Sequence, residues 1–184
     1  MKDQLDKFVQ PVYKKTKRTN ETYKTVARRC NRKLLGFLQE YKSVKNDQQE
    51  LREIRNDIDN ELRRYHEYCI QQRDGMKAHY HEVGADEDCD FEHLIPLKLI
   101  RDLLIAGIIN TEQALNAPTV LLSRDKHHML KEAGWASKTP DMWLPFTRYN
   151  NVFSSTFRTH DGTEIDPLTW TLENHYNYFK HLVI

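Results

Sequence analysis

Two short segments of this 184-residue chain carry the residue types needed for metal-assisted proton transfer. Residues 90–96 place Glu92 beside His93, and residues 123–130 contain His127 and His128. A histidine titrates near neutral pH and suits proton transfer, whereas a carboxylate with a neutral imidazole suits a divalent cation. Hydrolysis of a phosphodiester needs both functions, so the two segments together predict metal-dependent phosphodiester chemistry.

The order of elements around these segments decides whether the side chains can meet. Adjacent side chains on a strand point to opposite faces, so Glu92 and His93 share one site only if the strand ends or bends between them. Pro96 lies just beyond and favours such an ending. Ser123 is a predicted N-cap for a helix through Glu132, and His127 in its first turn is expected to face the strands.

The positions of glycine and proline, which often end or begin helices and turns, predict the remaining elements in the second half of the chain. A helix is expected from Pro96 to about Ala106, ended by Gly107. Asp161-Gly162 predicts a hairpin turn, followed by a helix from about Leu168. The other expected elements are a first strand over residues 89–95, a short helix over 111–115 and a second strand over 119–122.

The first half of the chain reads as helical, and its apolar positions between residues 47 and 74 recur every 3.6 residues on average. This spacing predicts a straight amphipathic helix that packs against the rest of the molecule or against an identical copy. A homodimer through the 47–74 helix is one of these two arrangements. The composition changes around residues 75–90. We accordingly predict an α+β, mostly helical chain with a helical region over 1–80 and a second domain over 81–184.

Charge is distributed unevenly although the formal net charge is only +1. Residues 1–45 carry 13 Lys and Arg against 4 Asp and Glu, a formal net charge of +9, so the other residues carry a formal net charge of −8. A basic arm predicts a nucleic-acid partner, although a solvated basic helix face with no partner is the alternative. The predicted nucleic-acid contacts are Lys14, Lys15, Lys17, Arg18, Arg28, Arg29, Arg32, Lys33, Arg101 and Arg124, and Lys98, Lys126 and Arg148 are further phosphate candidates.

Over residues 88–135 the chain resembles the HNH endonucleases, which have a ββα-metal fold. Residues 92–96 match the family's acid-His-x-x-Pro motif, and residues 123–130 match its second half, with Ser123 and Lys126 where cysteines would stand. The 34 residues from His93 to His127 require a helical insertion between the two strands.

The resemblance implies a role for each matching residue. His93 becomes the general base that activates water, and Asn116 is the nearest candidate for the family's middle asparagine. Glu92 and His127 would bind one divalent metal, Mg²⁺ or Mn²⁺ with Zn²⁺ as an alternative, and His128 is a further candidate ligand or phosphate contact. Double-stranded DNA is the implied substrate by analogy with the family.

Two other classes remain open. A non-catalytic nucleic-acid-binding or scaffolding protein would keep the basic helices without the metal chemistry. A structural zinc site is the third reading, but such sites normally use four ligands and often cysteine, and Cys30, Cys69 and Cys89 are widely spaced. No stretch has the run of about 18 apolar residues that a membrane span needs, so we expect a cytoplasmic protein with no membrane partner.

Overall fold

A computed structural model describes residues 20–73, 76–85 and 88–182 of the chain. Five strands form one sheet, and the helices flank it. The helices are α1 (Asn20–Ser43), α2 (Gln48–Tyr65), α3 (Leu97–Ile105), α4 (Thr111–Leu115), α5 (Arg124–Glu132), α6 (Thr147–Asn150) and α7 (Leu172–Phe179), with a π-helix (His66–Gln71) and a 3₁₀ helix (Lys180–Leu182). The strands are β1 (Tyr80–Glu82), β2 (Cys89–His93), β3 (Thr119–Ser123), β4 (Phe157–Thr159) and β5 (Glu164–Ile165).

Helix α2 confirms the amphipathic pattern predicted for the 47–74 segment over most of its length. Asp47 caps its first turn by accepting from the backbone N–H groups of Gln49 and Glu50. The predicted apolar positions from residue 54 onward are buried, and α2 packs against α1 and α3 of its own chain. The prediction of a straight helix is wrong at its end, because residues 66–71 widen into a π-helix. The buried face of α2 thus packs against the rest of the molecule, which is one of the two arrangements predicted for it.

The sheet is mixed, with the order β2-β3-β1-β4-β5. Strand β2 pairs antiparallel with β3, and β1 pairs parallel with β3 and antiparallel with β4. Strand β2 therefore forms one edge of the sheet. This architecture confirms the predicted α+β class.

The elements around β2 and β3 follow the predicted order. Helices α3 and α4 are inserted between the two strands, and α5 follows β3 directly. Ser123 occupies the N-cap position of α5, but its side chain makes no capping hydrogen bond. Near the C-terminus β4 and β5 form the predicted hairpin, whose Gly162 has φ +94°. The last helix begins at Leu172 rather than near Leu168, because Thr171 and Asn174 form a capping box there.

One cluster of buried apolar side chains connects the two predicted regions. It includes Leu34 on α1, Ile58 on α2, Leu104 on α3, Val120 on β3 and Phe179 on α7. The helical region and the sheet thus share a core. Among the described helices, none is both long enough and apolar enough to cross a membrane.

Candidate functional site

The ends of β2 and α5 bring Asp90, Glu92 and His127 together. Residues two apart on a strand share a face, so Asp90 and Glu92 point to the same side of β2. His127 lies in the first turn of α5, which follows β3 directly, and its ring reaches both carboxylates. Its Nδ1 is 2.6 Å from Asp90 Oδ2, and its Nε2 is 3.5 Å from Glu92 Oε2. The predicted meeting of Glu92 and His127 is therefore present.

Asp90 sets the orientation of the His127 ring. The hydrogen bond from His127 is the main cause that holds the pKa of Asp90 below its ordinary value. The ionised Asp90 carboxylate accepts this hydrogen bond from the Nδ1–H of His127. When the ring is neutral and Nδ1 carries the hydrogen, the lone pair lies on Nε2, the nitrogen nearest Glu92. A carboxylate that fixes a histidine in this way is typical of metal ligands.

The separation of His127 Nε2 and Glu92 Oε2 fits two ligands of one cation. Ligands bound at about 2.1 Å with tetrahedral geometry lie about 3.4 Å apart, and the observed distance is 3.5 Å. Within the described ranges no group of three or more His, Cys, Asp or Glu side chains is arranged to hold a metal. A cation held between Glu92 and His127 would therefore take its other ligands from water or phosphate oxygens.

Arg148 contacts the other oxygen of Glu92. It lies on α6, is fully buried, and donates from Nη2 to Glu92 Oε1 and to the Tyr149 hydroxyl, the latter at 3.2 Å. Its Nε and Nη1 are buried and have no hydrogen-bond partner among the described residues. Arg148 was a candidate phosphate contact in the sequence, but in the structure it is a buried counterion of Glu92.

His93 lies on the opposite face of β2 from Glu92. The expectation that the strand ends or bends between them is wrong, since β2 includes His93 and pairs it with Thr119. His93 Nε2 instead lies 2.9 Å from Nδ1 of His66, the first residue of the π-helix. Burial holds the pKa of His93 well below its ordinary value, and electrostatic interactions with nearby His66, Arg63 and Arg148 add to this effect.

Among the described residues, the side chains of Asn116 and His128 make no hydrogen bond or ion pair with those of Glu92 or His127. Asn116 is buried, its Oδ1 lies 3.0 Å from His79 Nε2, and its Nδ2 donates to the Phe179 carbonyl at 3.2 Å. These hydrogen bonds of Asn116 hold the backbone in place just before β3. His128 is exposed on α5, about 100° around the helix from His127.

The predicted nucleic-acid contacts divide into exposed and paired cations. Those at positions 14, 15, 17 and 18 lie outside the described residues. On α1 the solvent-facing side carries Arg28, Arg29, Arg32 and Lys33, of which Lys33 pairs with Glu61 at 3.1 Å.

Arg101 and Arg124, unlike the exposed arginines of α1, form ion pairs with acidic side chains. The Arg101 side chain is only 8% exposed and bridges Asp59 at 2.6 Å and Asp102 at 2.9 Å. Arg124 is about half exposed but pairs with Asp88 at 2.6 Å. Of the predicted contacts within the described residues, Arg28, Arg29 and Arg32 on the outer face of α1 are thus exposed and outside these ion pairs.

Sequence reasoning did not assign Asp90 and His66 to the site. Asp90 lies within the strand predicted over residues 89–95, and its position two residues before Glu92 was a sufficient signal to assign it to the site. His66 lies next to a position in the periodic apolar series of α2, and no local pattern indicates that the helix widens there.

Comparison with known proteins gave no relatives. No protein-family model matches the chain. No curated protein and no solved structure matches it either. A functional assignment therefore depends on the side-chain geometry and on the order of the elements.

Proposed function

We propose that this chain is a metal-dependent endonuclease that hydrolyses phosphodiester bonds in DNA with a single divalent cation. The observation that carries the proposal is the 3.5 Å pair of Glu92 Oε2 and His127 Nε2, with Asp90 holding the imidazole. The order of strand, helical insertion, strand and helix around this pair is compatible with the ββα arrangement that the HNH resemblance implies, and supports the proposal in that sense.

Each of the three residues has a distinct task in this proposal. Glu92 and His127 would hold the cation, which when bound supplies charge to a phosphate oxygen and to the departing oxygen. Asp90 accepts a hydrogen bond from the Nδ1–H of His127, so Nε2 is the nitrogen that would bind the metal. His128 is not needed as a ligand, since it is exposed on another side of α5.

His93 is the proposed general base, acting from the other face of the edge strand. In an in-line displacement the attacking and leaving oxygens lie on opposite sides of the phosphorus. For both residues to act on one phosphate, the phosphate would have to lie along the β2 edge of the sheet, with Glu92 on one side and His93 on the other. The proposal therefore requires the substrate backbone to bind along this edge.

The outer face of α1 is the proposed DNA contact. Cations on one helix face would bind phosphates without regard to sequence and release counterions. Replacing Arg28, Arg29 and Arg32 with Gln should reduce the slope of log affinity against log salt by roughly three. The matched control replaces Lys45, Lys138 and Lys180, which are exposed elsewhere, with Gln. An equal loss of slope in the control would show that α1 has no special role.

Plasmid nicking tests the catalytic proposal. Supercoiled plasmid is incubated with the full chain and Mg²⁺ or Mn²⁺, with and without chelator, beside Glu92→Gln, His93→Ala and His128→Ala. We expect metal-dependent nicking that Glu92→Gln and His93→Ala reduce by at least about a hundredfold and that His128→Ala leaves nearly unchanged. Nicking that survives His93→Ala would remove the proposed base.

A non-catalytic nucleic-acid-binding protein is the second candidate, and one observation favours it. Glu92 already has a cationic partner in buried Arg148, so the carboxylate is neutralised without a metal. Wild-type protein that binds DNA with a steep salt dependence, but cleaves no plasmid under any divalent metal, would support this candidate instead.

A further inference from the structure

The buried pair of His66 and His93 fixes which ring nitrogen of each histidine carries a proton. His66 is fully buried, and its Nε2 lies 3.2 Å from the Ala114 carbonyl oxygen and 3.1 Å from that of Leu115, at the end of α4. Carbonyl oxygens only accept hydrogen bonds. Nε2 of His66 must therefore be the N–H nitrogen.

The donor at one end of the His66 ring determines the other end. Burial lowers the pKa of His66 to about 4, so the ring is neutral at pH 7 and its Nδ1 carries a lone pair. That lone pair is 2.9 Å from His93 Nε2. A lone pair can only be matched by a donor, so His93 Nε2 must carry a hydrogen. In neutral His93 the lone pair is then on Nδ1.

We infer that His66 is a positioning residue that holds His93 in the Nε2–H tautomer and leaves Nδ1 as its proton-accepting atom. This inference rests on the proposed function for the role of His93, but the tautomer itself follows from the hydrogen bonds. The π-helix begins at His66 and brings its ring against β2. Such helices are rare and are often found at functional sites.

The proton transfer can be written in full with this assignment. The Nδ1 lone pair of His93 takes one proton from a water molecule, and the water oxygen forms a bond to phosphorus as the bond to the leaving oxygen breaks. The leaving oxygen keeps the electron pair of that bond and takes a proton from solvent. His93 becomes an imidazolium whose Nε2–H still donates to His66, so the ring need not turn during the step.

Two substitutions of His66 separate positioning from packing. Glutamine carries an acceptor and a donor on one amide, so His66→Gln can still accept from His93 and donate to the carbonyls. Leucine fills the space but offers neither group. We expect His66→Leu to lower kcat about tenfold or more with little change in KM, and His66→Gln to recover most of that loss.

Nitrogen NMR of the full-length protein tests the tautomer without any activity measurement. In ¹⁵N-histidine-labelled protein, the His93 ring is assigned by the signals lost in His93→Gln. We expect a pyrrole-type Nε2 and a pyridine-type Nδ1 in wild type and in His66→Gln, and averaging toward a mixture of tautomers in His66→Leu.

The outcomes distinguish this inference from the proposed function. A pyrrole-type Nδ1 on His93 in wild type would overturn the inference whatever the activity. If His93 has the expected tautomer but the protein cleaves no DNA, the endonuclease proposal is contradicted, whereas the inference that His66 fixes the His93 tautomer is not. If His66→Leu fails to fold, the spectra of wild type and His66→Gln still decide the tautomer. An unchanged tautomer and rate in folded His66→Leu would show that His66 only packs.

Discussion

Acid should unfold this protein at unusually mild pH because several histidines are buried in the neutral form. His66 and His175 are both fully buried, and burial lowers their pKa values to about 4 and about 3. Burial also lowers the pKa of His79 well below its ordinary value, and the electrostatic interaction with nearby His175 adds to that effect. Each of these rings is hydrogen-bonded inside the core. None can gain a proton without an energetic penalty.

The sign and size of the effect follow from the shifts. Below about pH 6.5 each of these histidines binds a proton in the unfolded chain but stays neutral in the folded protein. The free energy of unfolding therefore falls as the pH falls, by up to about 1.4 kcal/mol per pH unit for each histidine. The loss continues to about pH 4 for His66 and about pH 3 for His175. Between pH 7 and pH 5 each should remove about 2 kcal/mol, together about 4 kcal/mol, against a typical total of about 5–15 kcal/mol.

Urea unfolding followed by circular dichroism at pH 7 and pH 5 measures this loss. With a slope near 2 kcal/mol per molar urea, the midpoint should fall by about 2 M. His175→Phe is destabilised at both pH values, but its loss between them should be smaller by about 2 kcal/mol. The control His128→Gln changes an exposed histidine and should lose as much as wild type. An equal loss in His175→Phe and wild type would refute the reasoning.

Two further predictions concern stability. Arg101→Met removes the ion-pair partner of Asp59 and should lower the free energy of unfolding, measured by urea denaturation, by about 2–3 kcal/mol. The slope of log DNA affinity against log salt should not change. A reduced slope would show that Arg101 contacts DNA. Gly107→Ala, at φ +71°, should destabilise by about 1–2 kcal/mol, and Gly36→Ala, within α1 with open space around it, should stabilise by up to about 1 kcal/mol. Thermal melts check both signs, and a shift in the same direction for both variants would contradict this account.

Local patterns in the sequence predicted the elements that depend on neighbours in the chain. The 3.6-residue spacing of α2 and the glycine that ends α3 act within one helix, and both were found in the structure. The hairpin at Asp161-Gly162 is equally local. These features need no knowledge of the tertiary fold, so one sequence was enough to predict them.

Features set by distant contacts were missed. Strand β1 has only three residues, too few for an alternating pattern, and it forms because β3 and β4 pair with it on either side. The π-helix at His66 likewise depends on the packing of its ring against His93 and the end of α4. Asp90 differs from these, since its alternation with Glu92 on β2 could have assigned it to the site.

The most direct test of the metal centre is anomalous diffraction from crystals of the full chain soaked in Mn²⁺. We predict a peak about 2.1–2.2 Å from Glu92 Oε2 and from His127 Nε2, with Asp90 still bonded to Nδ1 of His127. Glu92→Gln crystals treated in the same way should show no peak. A map with no peak between these two atoms in wild type, or a peak that persists in Glu92→Gln, would contradict the account.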